Sequence, residues 1–239
     1  MNNKFPAIWF FDMEGTLLKK EYSLDNGKVA PSAWTVLARK LGEQCYLEEE
    51  KTKDRWLNGE YRGYLDWMAD TVEIHKKYGL RKELVDQVVE DAKLYNGAEE
   101  LFKWLRENKA ITVLITGGFK ALADKVQRKL KINHAFSGCE YFYDENNLVE
   151  FANLLPSDNQ GKASFMRQVI EEHGVSSKDC IFIGDGMNDI YLAKEVGFSI
   201  AFNAQNELSD IASASINQGQ NKENLLEIKE LISSYFIIT

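Results

Sequence analysis

The sequence predicts an α/β fold: a parallel sheet with helices on both faces, interrupted after its first strand by a helical insertion. Three observations carry this. Short apolar runs recur along the chain, and each stops at a loop residue such as Asp, Thr or Gly, as strands buried on both faces do. Helical patterns separate these runs, which is the alternation of a parallel sheet. The stretch between the first two runs holds no such strand, only amphipathic helical patterns. At 239 residues the chain can bury a core without disulfides or a structural metal.

In chain order, residues 7–11 (AIWFF) form the first buried strand, ending at Asp12. Helical patterns follow at 31–41, 47–57, 61–78 and 81–91, with Pro31 and Ser32 suited to the start of the first. The run Glu48, Glu49, Glu50 reads as a solvated helix face. A helix over 97–109 leads to the strand 111–115 (ITVLI), which stops at the turn residues Thr116-Gly117-Gly118. Residues 139–151 alternate aromatics around Asp144-Glu145-Asn146-Asn147, a hairpin signal. A helix over 162–173, the strand 180–183 (CIFI) ending at Gly184-Asp185-Gly186, and the strand 199–202 (SIAF) complete the order. The expected division is an α/β core of residues 1–18 and 92–239, with residues 19–91 as a helical unit inserted between them.

Charge and composition exclude several functions. Twenty-nine Lys and Arg face 37 Asp and Glu, a net charge of −8, and a field of that sign repels nucleic acid and anionic membrane surfaces. The first apolar run is too short for a signal peptide or a membrane span. Cys45, Cys139 and Cys180 are far apart with no CxxC pair, so a reduced, cytoplasmic location is expected. Oligomeric state is not encoded in any of these features.

In sheets of this kind ligands sit beyond the carboxyl ends of the strands, where Asp12, Thr116 and Asp185 fall. In Asp12-Met13-Glu14-Gly15-Thr16 two carboxylates at i and i+2 face one crevice, and Gly15 permits an unusual turn. A carboxylate there can be a nucleophile, a metal ligand or a general acid. Alone, the pattern also suits a plain βα turn. Gly184-Asp185-Gly186-Met187-Asn188-Asp189 gathers two carboxylates and an amide, a donor set for a hard cation, and a helix cap explains only one of the two Asp. Thr116-Gly117-Gly118 offers a hydroxyl and backbone N–H groups to an anion. Lys162, at a helix start, can balance phosphate charge or sit in solvent.

Together, in this order, the four motifs resemble those of the haloacid dehalogenase superfamily of phosphotransferases. The segment Ile200-Ala201-Phe202-Asn203-Ala204 and the helical insertion look like the phosphoserine phosphatase branch. The resemblance covers essentially the whole chain. It implies a Rossmann-like parallel-sheet core with a C1-type helical cap. It implies that Asp12 would become an aspartyl-phosphate and that Glu14 would act as general acid and then general base. Thr116, Gly117, Lys162 and Asn188 would contact the phosphoryl group. Mg²⁺ would be held by Asp12, the Glu14 backbone carbonyl and Asp185, with Asp189 supporting the metal shell. The expected activity is Mg²⁺-dependent hydrolysis of a small phosphorylated metabolite, phosphoserine or a related ester. Transfer to an acceptor other than water, and a catalytically weak binding protein, are the alternatives.

Two features depart from the family pattern: the residue at position 14, and the absence of a cap Arg near the matching Glu21. Glu14 stands where most family phosphatases carry Asp, and its extra methylene must be accommodated. Glu21 falls where phosphoserine phosphatases bind the substrate ammonium, or is an exposed charge beside Lys19 and Lys20. The Arg that pairs with the substrate carboxylate has no counterpart in the stretch from Tyr64 to Thr71. Tyr64 and Trp67, at i and i+3, are candidate substrate-facing residues, or they pack the insertion with Trp56, Tyr61 and Tyr78.

Overall fold

The structure is a computed structural model describing residues 4–219 and 222–237. The outermost residues of the expected core (1–3, 238 and 239), and residues 220 and 221, lie outside the described residues. The elements run β1 (Ile8–Phe11), α1 (Ala33–Leu41), α2 (Glu43–Leu57), α3 (Tyr64–Lys77), α4 (Lys82–Asp91), α5 (Ala98–Glu107), β2 (Ile111–Phe119) and α6 (Lys120–Leu130). They continue with β3 (His134–Tyr143), β4 (Val149–Leu154), α7 (Gln160–Glu172), β5 (Cys180–Gly184), α8 (Ile190–Ala193), β6 (Phe198–Phe202), α9 (Asn206–Ser209), β7 (Ala214–Ile216) and α10 (Leu226–Tyr235).

One seven-stranded sheet has the order β4-β3-β2-β1-β5-β6-β7. Its pairings are parallel except that of β4 with β3. Strand β1 is central, with Phe11 in register with Leu114 on one side and Ile183 on the other. The chain builds one flank (β2, β3, β4) before crossing to the other (β5, β6, β7), so β1 stands where the strand order reverses. That reversal opens a crevice at the carboxyl ends of β1, β2 and β5.

Side-chain alternation explains the two layers of core. Trp9, Phe11, Leu114, Ile183 and Phe202 face one apolar cluster, with Leu101, Phe102 and Leu105 of α5. Ile8, Phe10, Val113, Ile115 and Phe182 face the other, with Met166 and Val169 of α7. With both sheet faces covered, β1 is buried throughout, which is why it reads as an unbroken apolar run.

The helical insertion lies between β1 and α5. Its two connections run side by side, the Lys19 N–H donating to the Lys93 carbonyl at 2.9 Å. It also rests on the hairpin of β3 and β4. The Val149 N–H donates to the Leu80 carbonyl, the Lys82 N–H to the Asn147 carbonyl, and the His75 ring meets the Tyr141 hydroxyl at 2.8 Å. Trp34 of α1 packs on Phe119, ring centroids 4.4 Å apart.

Three sequence expectations need correction. Strand β2 runs on through Thr116-Gly117-Gly118 to Phe119, with an irregularity between Thr116 and Phe119 where it pairs with β3. The glycines mark that bulge rather than the end of the strand. Strand β3 begins at His134, ahead of the hairpin signal, because its first half pairs with β2. Glu49 is 1% exposed instead of solvated. Its carboxylate accepts from Thr35 Oγ1 at 2.9 Å and lies 3.2 Å from Lys53 Nζ and 3.5 Å from His75 Nε2, and such partners are what a buried carboxylate requires. Among the described residues no helix is long and apolar enough to cross a membrane.

Candidate active site

Asp12 leaves the end of β1 with its N–H on the Ile183 carbonyl at 3.0 Å. The chain then doubles back: the Gly15 N–H donates to the Leu18 carbonyl, and the Leu18 N–H to the Met13 carbonyl. Gly15 has φ +87°, and a Cβ there would lie 2.2 Å from Asp185 Oδ2 and 2.6 Å from Lys20 Nζ. Only glycine satisfies both the dihedral and the approach. The turn aims Glu14 toward the insertion, where Oε1 accepts the Ala33 N–H at 2.6 Å. Ala33 is the first residue of α1, so the carboxyl sits at the positive end of that helix. Burial pushes the Glu14 carboxyl up to about 7, against the opposing pull of the Ala33 N–H and Lys20.

Lys162 lies on the buried face of α7, with Ala163, Met166 and Val169. Fully buried, its Nζ donates to Asp12 Oδ1 and Asp189 Oδ1, both at 2.6 Å, and stands 3.8 Å from Asp158. Burial alone would discharge this ammonium; the surrounding carboxylates outweigh it and raise its pKa. Asp189 Oδ2 accepts the N–H groups of Asp185 and Gly186, each at 3.1 Å. Asp189 thus ties the loop after β5 to Lys162. Burial raises the carboxyls of Asp185 and Asp189 against the pull of Lys20 and Lys162. Asn188 Nδ2 donates to Asp158 Oδ1 at 2.7 Å.

At the bulge in β2, Thr116 Oγ1 accepts the Gly118 N–H at 3.0 Å. Ser157 Oγ donates to the Thr116 carbonyl at 2.7 Å. The insertion closes over this segment: Trp34 Nε1 donates to the Gly117 carbonyl at 3.3 Å. A Cβ on Gly117 would lie 2.6 Å from the Tyr64 hydroxyl and 2.8 Å from the Asp158 carboxyl.

A cavity of about 470 Å³ opens beside Glu14, bounded by Lys20, Glu21, Ala33, Val36 and Lys40 among others. Glu21 is 46% exposed and is engaged by Lys93 at 3.0 Å and Lys19 at 3.8 Å. A smaller cavity of about 70 Å³ lies between Trp34, Tyr64 and Trp67. Trp67 stacks on Trp56 at 5.0 Å and donates to Thr52, so it packs the insertion while one edge borders that cavity.

The donor chemistry fits a hard divalent cation: carboxylate oxygens of Asp12, Asp185 and Asp189 lie within 4.8 Å of one another. The Lys20 ammonium, 2.6 Å from Asp185 Oδ2, already responds to that charge.

Asp12, Glu14, Thr116, Gly117, Lys162, Asn188, Asp185 and Asp189 therefore converge on one crevice, with Tyr64 at its roof. Glu21 and Trp67 border neighbouring cavities. Sequence reasoning missed Lys20, Asp158, Trp34 and the Ala33 N–H. Lys20 carried no signal within Lys19-Lys20-Glu21. Asp158, at i−4 from Lys162, carried a faint one.

The family model for haloacid dehalogenase-like hydrolases matches residues 8–197. A phosphoserine phosphatase of Archaeoglobus fulgidus is 28% identical over 230 residues, 96% of this chain and 61% of the relative. A probable phosphoserine phosphatase of Schizosaccharomyces pombe is 31% identical over 155 residues, 64% of this chain and 52% of the relative. The chain thus spans less than two thirds of either relative. A solved structure described as a phospho-aspartyl intermediate analogue of phosphoserine phosphatase superposes with a TM-score of 0.74 at 22% identity, covering 99% of this chain and 100% of that one. The match in fold extends over the core and the helical insertion alike, and the family model spans most of the chain. The protein belongs to the haloacid dehalogenase-like hydrolase family.

Proposed function

We propose that the protein is a Mg²⁺-dependent phosphatase of small phosphate monoesters that works through a phosphorylated Asp12. The observation that carries this is the buried Lys162 bridging Asp12 and Asp189, with Glu14 alongside at the N-terminus of α1. Phosphoryl transfer is mainly positioning and charge neutralisation, and this crevice supplies both.

In the proposed reaction Asp12 attacks phosphorus, the bond from phosphorus to the ester oxygen breaks, and the Glu14 carboxyl gives its proton to the departing oxygen. The Glu14 carboxylate then takes a proton from water. The water oxygen attacks phosphorus, the bond to Asp12 breaks, and phosphate leaves. Lys162, Thr116 and Gly117 hold the phosphoryl oxygens, with Asn188 oriented by Asp158. Asp12, Asp185 and the Glu14 carbonyl would hold Mg²⁺, and Asp189 fixes the loop that carries Asp185. When bound, Mg²⁺ neutralises carboxylate and phosphoryl charge so that an anionic ester can enter.

Residues 19–91 act as a cap on a core of residues 1–18 and 92–239, excluding water when closed. Trp34 and Tyr64 reach Gly117 from that side. The names of the relatives favour phosphoserine or a related small ester. Glu21, already paired with two lysines, must leave them to meet a substrate ammonium. The free, buried cysteines suit a reducing, cytoplasmic location.

The test is Mg²⁺-dependent phosphate release from phosphoserine, phosphohomoserine, phosphothreonine, and sugar and nucleotide phosphates. Turnover of at least one, abolished by chelation, is expected. No turnover across the panel contradicts the proposal, and phosphate recovered on an added alcohol would shift it to a transferase.

A further inference from the structure

The proposed chemistry leaves one charged group without a task. Lys20 Nζ donates to Asp185 Oδ2 at 2.6 Å, and among the described residues no other side chain bonds that carboxylate. The contact is built in: it lies against Gly15, where a Cβ would come within 2.6 Å of the ammonium. The surrounding charge is uneven. Lys162 serves Asp12 and Asp189, which leaves Asp185 to Lys20.

We infer that Lys20 is an internal counter-ion for Asp185 that Mg²⁺ displaces on binding, so that Lys20 sets the metal affinity of the site. The inference rests on the metal assignment proposed above. With Lys20 on Asp185 Oδ2, a divalent cation on the same carboxylate is brought close to the ammonium, and like charges that close repel strongly. Lys20 has somewhere to go: its side chain is 30% exposed and borders the 470 Å³ cavity, whose wall includes Glu21. Before metal arrives the lysine keeps Asp185 from standing uncompensated beside Asp12 and Asp189. The two cations compete for one partner, so the coupling is reciprocal: whatever the lysine contributes to the metal-free site, the metal must overcome.

The experiment is calorimetric titration of Mg²⁺ into metal-free wild type, Lys20→Met, Lys20→Gln and Lys20→Arg, with thermal unfolding of each before metal. A readout free of turnover separates this inference from the phosphatase proposal. Lys20→Met and Lys20→Gln are expected to bind Mg²⁺ about tenfold more tightly, within the usual range of coupled sites, and to unfold at lower temperature without metal. Lys20→Arg, which keeps the cation, is expected to retain wild-type affinity. Unchanged or weakened binding in both neutral variants overturns the inference while leaving the metal assignment intact. Absence of Mg²⁺ binding in all four proteins overturns both. The paired neutral variants guard against one of them failing to fold.

Discussion

Glu14 is the residue at which the proposed chemistry is most exposed to test. Its Oε1 accepts the Ala33 N–H at 2.6 Å, and burial pushes its carboxyl up to about 7, suited to giving and taking a proton near neutrality. Glu14→Gln keeps the length and removes the proton. Loss of general acid help costs typically ~10²–10⁴-fold, and that is the expected drop in kcat for an alkyl phosphate monoester, whose alkoxide leaves poorly. With 4-nitrophenyl phosphate the phenolate leaves without a proton. The variant should then release a burst of about one equivalent and stall, because water activation also needs the carboxylate. Glu14→Asp withdraws the carboxyl by about one C–C bond, ~1.5 Å, out of hydrogen-bond reach of Ala33. A misplacement of ~1 Å can cost ~10²-fold, so this variant should fall between. Stopped-flow absorbance and steady-state phosphate release read all of these. Wild-type turnover of such an alkyl phosphate by Glu14→Gln would refute the assignment.

Two further perturbations act on structure. Gly15→Ala places a methyl 2.2 Å from Asp185 Oδ2 at a φ of +87°. It should cost ~1–3 kcal/mol of stability and weaken Mg²⁺ binding; an unchanged melting midpoint with unchanged affinity would contradict the close approach. In the insertion, burial opposes charge on Glu49, but His75, Lys53 and Thr35 hold its carboxyl below the usual range. A carboxyl lowered by folding stabilises the native state above its unfolded value, near 4.5, and that contribution is lost as pH falls through this region. The wild-type midpoint should therefore fall as the pH is taken below about 4.5, and Glu49→Gln should show a shallower fall there from a lower start; parallel profiles would refute the network.

The parts of this protein legible in its sequence are those fixed by local chemistry. Strands β1 and β5 are buried on both faces and appear as unbroken apolar runs before Asp12 and Asp185. The acidic loop after β5 is legible because a single cap cannot explain Asp185, Asn188 and Asp189 together. Contacts that depend on distant segments were hidden. The start of β3 has no run of its own and is a strand because β2 offers it an edge. Glu49 looked solvated within Glu48-Glu49-Glu50, since its partners His75 and Thr35 lie on other helices. Lys20 and Ala33 join the site only through the turn at Gly15 and the docking of α1. Helical period could have marked Lys162, which shares the buried face of α7 with Met166. A lysine there needs a carboxylate in reach, and Asp12 meets it.

The central claim is that Asp12 carries the phosphoryl group in mid-reaction. The direct measurement is acid quenching of enzyme during turnover of a radiolabelled phosphate ester, followed by peptide mapping of the bound label. The account predicts base-labile phosphate on the peptide containing Asp12, chased off by unlabelled substrate, and neither label nor turnover in Asp12→Asn. Label on another peptide, or full activity in Asp12→Asn, would contradict it.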